Sequence, residues 1–337
     1  MKAVAYFESL AIDDPRALQD VELPEPLPGP RDLLVEVRAI SVNPVDTKVR
    51  RNTQPEGGQP KVLGWDVAGV VVGVGSEVSL FKAGDEVFYA GSIARAGGNS
   101  ERHLVDERIV GRKPQTLSFA EAAALPLTAI TAWELLFERL QLVEGQGAGE
   151  QLLIVGAAGG VGSIMLQLAR QLTEVSVIAT ASRPETQAWA RELGAHHVID
   201  HSQPLHAELQ RAGFASVSHV ASLTQTDQHF DQLVEALTPQ GRLALIDDPA
   251  QPLDVMKLKR KSLSLHWELM FTRSLFETPD MIEQHHLLQR VSQLVDQGVL
   301  RTTLGEHFGT INAANLRRAH ALLESGKAKG KIVLEGF

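Results

Sequence analysis

The chain has 337 residues, enough for two domains with cores of their own, and its 44% hydrophobic and 22% charged residues are the balance of an ordinary globular protein. A formal net charge of -9 argues against a nucleic-acid surface, and the absence of cysteine rules out disulfides, thiolate metal sites and a cysteine nucleophile. No run of about 18 apolar residues predicts a membrane span, and acids come too early in MKAVAYFESLAIDD for a signal peptide, so a cytoplasmic location is expected.

Residues 1–125 read as β-rich. Segments 2–6 and 33–40 are strand-like, the second alternating in period two, with the stiff Pro24, Pro26, Pro28, Gly29 and Pro30 between them. Segments 66–74, 85–90 and 103–105 follow, and Gly75-Ser76-Glu77-Val78 and Lys82-Ala83-Gly84-Asp85 read as tight turns. Short strands at this spacing predict a partly closed β-barrel. Residues 118–125 predict a helix with Ser118 at its N-cap and Glu121 completing a capping box. Pro126 breaks it, and 127–140 predict a second helix.

The stretch 151–172, QLLIVGAAGGVGSIMLQLARQL, organises the rest. An apolar run, a glycine-rich turn and apolar residues at helical spacing open a dinucleotide-binding βαβ unit. There the first N–H groups of the helix and the positive end of its dipole face a pyrophosphate. The turn reads A-x-G-x-x-G, with Ala157 in place of the usual first glycine. Gly159 lets backbone approach a phosphate, and Gly162 lets the helix pack closely on the strand. Ala158, Gly159, Gly160 and Val161 are the expected phosphate-binding residues. Beyond them, strands at 175–180, 197–199, 217–221, 242–246 and 262–268 alternate with helices at 184–193, 205–212 and 227–237, which predicts a doubly wound parallel sheet. Amphipathic helices return at 281–295 and 313–323, and 331–334 is a strand expected to rejoin the N-terminal barrel. The nucleotide-binding domain is then inserted between two pieces of the other domain.

Five motifs occur in order: Asn43-Pro44-Val45-Asp46; Gly64-Trp65-Asp66-Val67-Ala68-Gly69 with Gly75 and Gly84-Asp85-Glu86-Val87; Leu125-Pro126-Leu127-Thr128-Ala129-Ile130-Thr131-Ala132; the 157–162 turn; and Gly326-Lys327-Ala328-Lys329-Gly330-Lys331. Together they resemble the medium-chain dehydrogenase/reductase superfamily on its quinone-oxidoreductase side, over essentially the whole chain. His266-Trp267-Glu268-Leu269-Met270-Phe271-Thr272-Arg273 resembles the bacterial zinc-type alcohol dehydrogenase-like proteins in particular. The resemblance implies an α/β protein: a GroES-like β-barrel catalytic domain at 1–125 and 270–337, and a Rossmann domain with a doubly wound parallel sheet at 126–269. Zinc alcohol dehydrogenases carry a cysteine ligand where this chain has Asn43, and Gly-His-Glu where it has Gly64-Trp65-Asp66. Their four-cysteine zinc loop cannot form here. The adjacent pairs His196-His197 and His285-His286 lack ligand spacing, so no zinc is expected.

An NAD enzyme places an acid at the end of its second nucleotide-binding strand to accept the ribose 2′-hydroxyl. This chain has Ala181-Ser182-Arg183 there and no acid before Glu185. A hydroxyl and a guanidinium suit a 2′-phosphate, so NADPH is the expected cofactor. Ser182 also reads as the cap of the helix at Pro184. Ser222, Leu223, Ile246 and Asp247 end the fourth and fifth strands, where backbone lines a cofactor cleft. The resemblance places Asn43 and Thr128 beside the nicotinamide; Asn43 also reads as a turn cap before Pro44, and Thr128 as an N-cap after Pro126. Trp65, Tyr89, Trp267, Met270 and Phe271 are candidate apolar walls for a flat substrate, and all are residue types that also fill cores. Lys327, Lys329 and Lys331 fit a solvated run, and the first two are read that way.

Oxidising an alcohol needs a Lewis acid or a base, and a Tyr-x-x-x-Lys pair is missing, with Tyr6 and Tyr89 the only tyrosines. Reducing a quinone or an α,β-unsaturated carbonyl asks less. The hydride goes to an electron-poor carbon, and the oxyanion or enolate is held by hydrogen bonds and protonated from solvent. The expectation is a zinc-independent, NADPH-dependent reductase of quinones or enones, with no nucleic-acid or membrane partner. Relatives commonly pair through the edge strand that 262–268 supplies, which implies a homodimer. The alternatives are a zinc-type alcohol dehydrogenase that recruits a metal through His and Asp, and an NADPH-binding sensor with little turnover.

Overall fold

The computed structural model describes residues 1–337, which divide into two compact units, Met1–Ile130 with Phe271–Phe337, and Thr131–Met270. The boundaries expected from sequence lie at 125/126 and 269/270, and those of the compact units at 130/131 and 270/271.

In the first unit, β1 (Lys2–Tyr6) pairs antiparallel with β2 (Gln19–Glu22). The hub is β3 (Asp32–Val42). Leu33, Val35 and Val37 turn inward while Leu34, Glu36 and Arg38 face outward; Ala39 to Val42 are buried throughout, because neighbours cover both faces there. Next comes α1 (Pro44–Asn52), whose buried residues Asp46, Thr47 and Arg50 are all polar, so no apolar stripe announced it. β4 (Lys61–Val62) returns to β1. β5 (Val67–Val74), β6 (Glu86–Tyr89), β7 (Arg102–Asp106) and β8 (Val110–Arg112) complete the first part. β3 pairs with both β5 and β7, and β6 lies between β5 and β8.

α2 (Phe119–Ala123) opens with the expected capping box: Ser118 Oγ accepts from the Glu121 N–H at 3.2 Å, and the Glu121 carboxylate accepts from the Ser118 N–H at 2.9 Å. α3 (Pro126–Trp133) starts on its proline, where a missing N–H costs nothing, and runs into a π-helical segment, Glu134–Arg139. By length and composition the whole stretch Phe119–Arg139 is apolar enough to cross a membrane, which the search for an unbroken apolar run did not register. Of its most apolar window 83% is buried inside the fold, the behaviour of a core helix.

The second unit alternates β9 (Gln151–Val155), α4 (Gly160–Leu172), β10 (Ser176–Thr180), α5 (Pro184–Glu192), β11 (His197–Ile199), α6 (Leu205–Arg211), β12 (Val217–Ser222), α7 (Thr226–Ala236), β13 (Leu237–Leu245) and β14 (Ser264–Trp267). The strands form one parallel sheet in the order β11-β10-β9-β12-β13-β14, so the doubly wound expectation holds. The order reverses between β9 and β12, the place where such sheets bind ligands. Leu153, Val155, Ile178, Val220, Leu243 and Leu245 pack on Leu209, Phe230 and Leu233 to form the core. Beyond β14 the buried Glu268 takes an ion pair from Arg139 Nε at 2.8 Å.

The chain then returns to the first unit with α8 (Thr272–Leu275), α9 (Glu283–Asp296), β15 (Leu304–His307), α10 (Ala313–Glu324) and β16 (Lys331–Glu335). β16 lies antiparallel on β3, with Ile332 opposite Val42, and so rejoins the barrel as expected. Besides α1, the elements missing from the sequence reading are β2, β4, β8, β15 and α8, which are two to four residues long, too short to show a period.

Two glycines of the 157–162 turn, Gly159 and Gly162, differ in a testable way. A Cβ on Gly162 would lie 2.5 Å from Ala157 Cα and O, whereas the nearest atom to one on Gly159 is Gly156 O at 3.5 Å. Gly162→Ala is expected to lower stability by about 2 kcal/mol or more. Gly159→Ala is expected to melt within a few degrees of wild type. Thermal unfolding of the two variants checks both.

Candidate functional site

In the second unit the carboxyl end of β9 turns at Gly156, whose φ of 80° suits glycine, and its N–H reaches Thr180 Oγ1 at 3.3 Å. Gly159 is the N-cap of α4, and Gly159, Gly160 and Val161 are half-buried beside the buried Ala158. The first N–H groups of this 13-residue helix have no partner within the helix. With no atom nearer than Gly156 O, 3.5 Å from where a Cβ on Gly159 would lie, they form a cradle that fits a pyrophosphate.

Ser182 and Arg183 follow β10. Arg183, not Ser182, is the N-cap residue of α5, and its side chain does not cap. Ser182 is exposed, so the reading of it as the helix cap fails. Arg183 Nε lies 3.3 Å from Glu185 Oε1; both side chains are part-exposed. At the ends of β12 and β13, Ser222 Oγ is 2.8 Å from Thr226 Oγ1, and the Asp247 carboxylate accepts from the Thr226 N–H at 2.9 Å and its hydroxyl at 2.5 Å. The Asp247 side chain is thus engaged in capping α7. The Leu223 N–H bonds to Val155 O at 3.1 Å, and Ile246 is half-buried.

The first unit holds a closed polar cluster. Asn43 ends the β3 turn, and its side chain leaves the N-cap of α1 to do other work. Nδ2 donates to Asp66 Oδ2 at 2.8 Å and Trp65 O at 3.3 Å, and Oδ1 accepts from Lys331 Nζ. The amide orientation follows from these partners, since a flip would set NH2 against an ammonium. Lys331 Nζ also bonds to Val42 O at 3.1 Å and Asp66 Oδ2 at 2.9 Å. Asp66 Oδ1 accepts the Leu127 N–H at 2.7 Å, which anchors the start of α3. Thr128 sits inside α3 rather than at its N-cap, and its hydroxyl donates to Leu125 O at 3.0 Å. Asn43 and Thr128 are therefore both buried and both left as acceptors only.

Lys331 is the member of the cluster that sequence reading did not place there. It shares a run with Lys327 and Lys329, the two read as solvated, and is itself 3% exposed at the first position of β16. The available signal was Asp66, an acid set in a run of apolar strand residues, which had to find a cation somewhere.

Of the candidate substrate walls, Trp65 and Tyr89 have no exposed surface. The Trp65 Nε1–H donates to Ser92 O at 3.1 Å with its ring edge-on to Phe271, and Tyr89 stacks on His103 with its hydroxyl 3.0 Å from Nδ1. Both are core residues, which corrects their reading as walls. Met270 and Phe271 are likewise buried, and Trp267 alone is exposed, on the edge strand β14.

A zinc ion does not fit these donors. The indole of Trp65 has no lone pair to offer, Asn43 and Asp66 are bound to an ammonium, and no three His, Cys, Asp or Glu side chains converge anywhere in the chain.

Asp46 is the second acid of the cluster. It accepts from the Asn43 N–H at 2.6 Å and the Gly64 N–H at 3.1 Å. Burial pushes its carboxyl up to about 7, against the pull of those donors and of Lys331. The folded state then holds a proton that the unfolded state has released, so this group's contribution to stability falls as pH rises from about 4 to about 7. Asp46→Asn loses an acceptor and is expected to be destabilised at every pH. The deficit against wild type is expected to be smaller at pH 8 than at pH 5 by more than roughly 1 kcal/mol. Denaturant unfolding at both pH values checks this; an equal deficit would mean a carboxylate ionised throughout.

Residues 29–132 match the family model of the alcohol dehydrogenase GroES-like domain, and residues 193–334 that of zinc-binding dehydrogenase. The chain is 36% identical over 336 residues to a zinc-type alcohol dehydrogenase-like protein of Staphylococcus aureus (strain MSSA476), covering 99% of each. It is similar to a crystal structure from Rhizobium etli CFN 42, provisionally described as a zinc-dependent alcohol dehydrogenase, at 60% identity and a TM-score of 0.96, covering 100% of this chain and 98% of that one. It is also similar to Escherichia coli quinone oxidoreductase complexed with NADPH, at 26% identity and a TM-score of 0.85, covering 99% and 100%. The chain belongs to the medium-chain dehydrogenase/reductase family, among its zinc-type alcohol dehydrogenase-like proteins and quinone oxidoreductases, and is an oxidoreductase.

Proposed function

We propose that the protein reduces quinones or α,β-unsaturated carbonyls with NADPH, without a catalytic metal. The carrying observation is the state of the groups assigned to the reacting end. Both N–H bonds of the Asn43 amide and the Thr128 hydroxyl proton are already given to protein acceptors. A simple ketone becomes an alkoxide on hydride addition and needs a Lewis acid or a strong donor at that moment. A quinone or enone spreads the charge over a conjugated system, accepts weaker help and takes its proton from water. The acceptor lone pairs left on Asn43 and Thr128 suit an amide N–H, and their role is to orient the cofactor ring.

When bound, NADPH supplies the hydride. The α4 start, with Ala158, Gly159, Gly160 and Val161, is proposed to hold its pyrophosphate; Ser182 and Arg183 its 2′-phosphate; and backbone at Ser222, Leu223, Ile246 and Asp247 the rest of the cofactor. Arg183 leaves Glu185 for the stronger partner, since a phosphate offers a guanidinium two oxygens and more charge. The similarity to a quinone oxidoreductase complexed with NADPH supports this reading. The zinc-dependent description of the Rhizobium relative favours the other one, a metal-using alcohol dehydrogenase, and the test separates them.

We further propose a homodimer formed through β14, an edge strand on which Trp267 is 53% exposed, with Leu269 just beyond it. Light scattering at micromolar concentration should give twice the 36.6 kDa chain mass, and a monomer would overturn it.

The deciding experiment is oxidation of NADPH and of NADH by 9,10-phenanthrenequinone, before and after chelator, with wild type and Arg183→Ala. The expected result is chelator-resistant turnover that prefers NADPH, with the preference reduced about tenfold in the variant. Turnover abolished by chelator would establish the metal reading. Stabilisation by NADPH with no turnover on any quinone or enone would make the protein a sensor.

A further inference from the structure

Asn43 stands where zinc alcohol dehydrogenases carry a cysteine ligand, and Asp66 where they carry the glutamate after their histidine. In this chain both side chains point at one atom, Nζ of Lys331. It lies 2.9 Å from Asp66 Oδ2 and 3.1 Å from Val42 O, and it donates to Asn43 Oδ1. An ammonium has three N–H bonds and here it has three acceptors, so it is saturated. It is also enclosed, Lys331 being 3% exposed, and all four residues belong to the first unit. A second cation on Asp66 Oδ2 or Asn43 Oδ1 would meet this one within a few ångström, in surroundings too poor in water to screen the repulsion.

We propose that Lys331 is this chain's built-in replacement for a metal ion: a cation tethered to β16 that occupies the position, answers the Asp66 charge and holds the Asn43 amide. The chain then keeps the electrostatic centre of the zinc-bearing architecture without an exchangeable ion. An ammonium has no empty orbital, so what is retained is the architecture and not Lewis acidity.

The test is a double-mutant cycle with a metal titration, neither of which reads turnover, so failure of the proposed quinone reduction leaves it intact. Lys331→Met keeps the length and removes the charge; Asp66→Asn removes the opposite charge. Each alone is expected to lower the melting temperature by about 10 °C, because it strands a buried charge. The double variant is expected to recover more than half of that loss. If a single variant does not fold, recovery of folded protein in the double variant gives the same answer. Chelator-treated wild type titrated calorimetrically with zinc chloride is expected to show no one-to-one binding. Additive losses in the double variant would overturn the proposal, as would one zinc per wild-type chain whose binding disappears in Asp66→Asn.

Discussion

An ionised carboxylate enclosed by protein must have its charge answered, and the first unit is arranged so that Asp66 has its answer in Lys331. The two are brought together by the sheet. β5 carries the chain out from Asp66 along one edge of β3, and β16 lies along the other, so the first residue of β16 meets the last residues of β3. Around that pair the remaining polar groups fall into place. Asn43 turns its oxygen to the ammonium and its nitrogen to the carboxylate, and the second Asp66 oxygen fixes the first turn of α3, which carries Thr128. A single ion pair thus orients the residues assigned to the reacting end, and the Lys331–Asn43 bond beside it joins positions 288 residues apart.

Much of the architecture was legible because it rests on local signals. The 151–172 stretch shows its strand, turn and helix directly, and the βα alternation after it dictates a parallel sheet. Ser118 and Glu121 announce a helix start from side-chain chemistry alone. The failures share a cause. α1 buries polar residues, so the usual apolar stripe is missing. Arg183 and Ser182 were weighed by their neighbours in sequence, yet the helix begins one residue later than the serine requires. Trp65 and Tyr89 were assigned by residue type, which cannot distinguish a pocket wall from a core. Lys331 was hidden because its partners lie almost the whole chain away, and no local period reports a contact of that range.

The family relationship says what kind of chemistry to expect, and the side-chain arrangement narrows it. The amide of Asn43, the indole of Trp65 and the carboxylate of Asp66 are each committed to a protein partner. A site so saturated is rigid and a poor donor. The proposed reduction rests on that property, since a conjugated acceptor carries its own electron sink.

The place of β16 in the sequence also bears on how the protein is made. As the chain leaves the ribosome, Asp46 and Asp66 emerge early, and the whole nucleotide-binding unit is synthesised before Lys331 appears. At ordinary elongation rates that interval is on the order of tens of seconds. Throughout it, the strand edge of β3 that will receive β16 is open and the acids behind it have no cation. The nucleotide-binding unit, encoded without interruption, can close while its neighbour waits. The order of assembly is therefore the reverse of the order of translation: the domain begun first is completed last, and the nascent barrel is the part of the molecule that needs shelter.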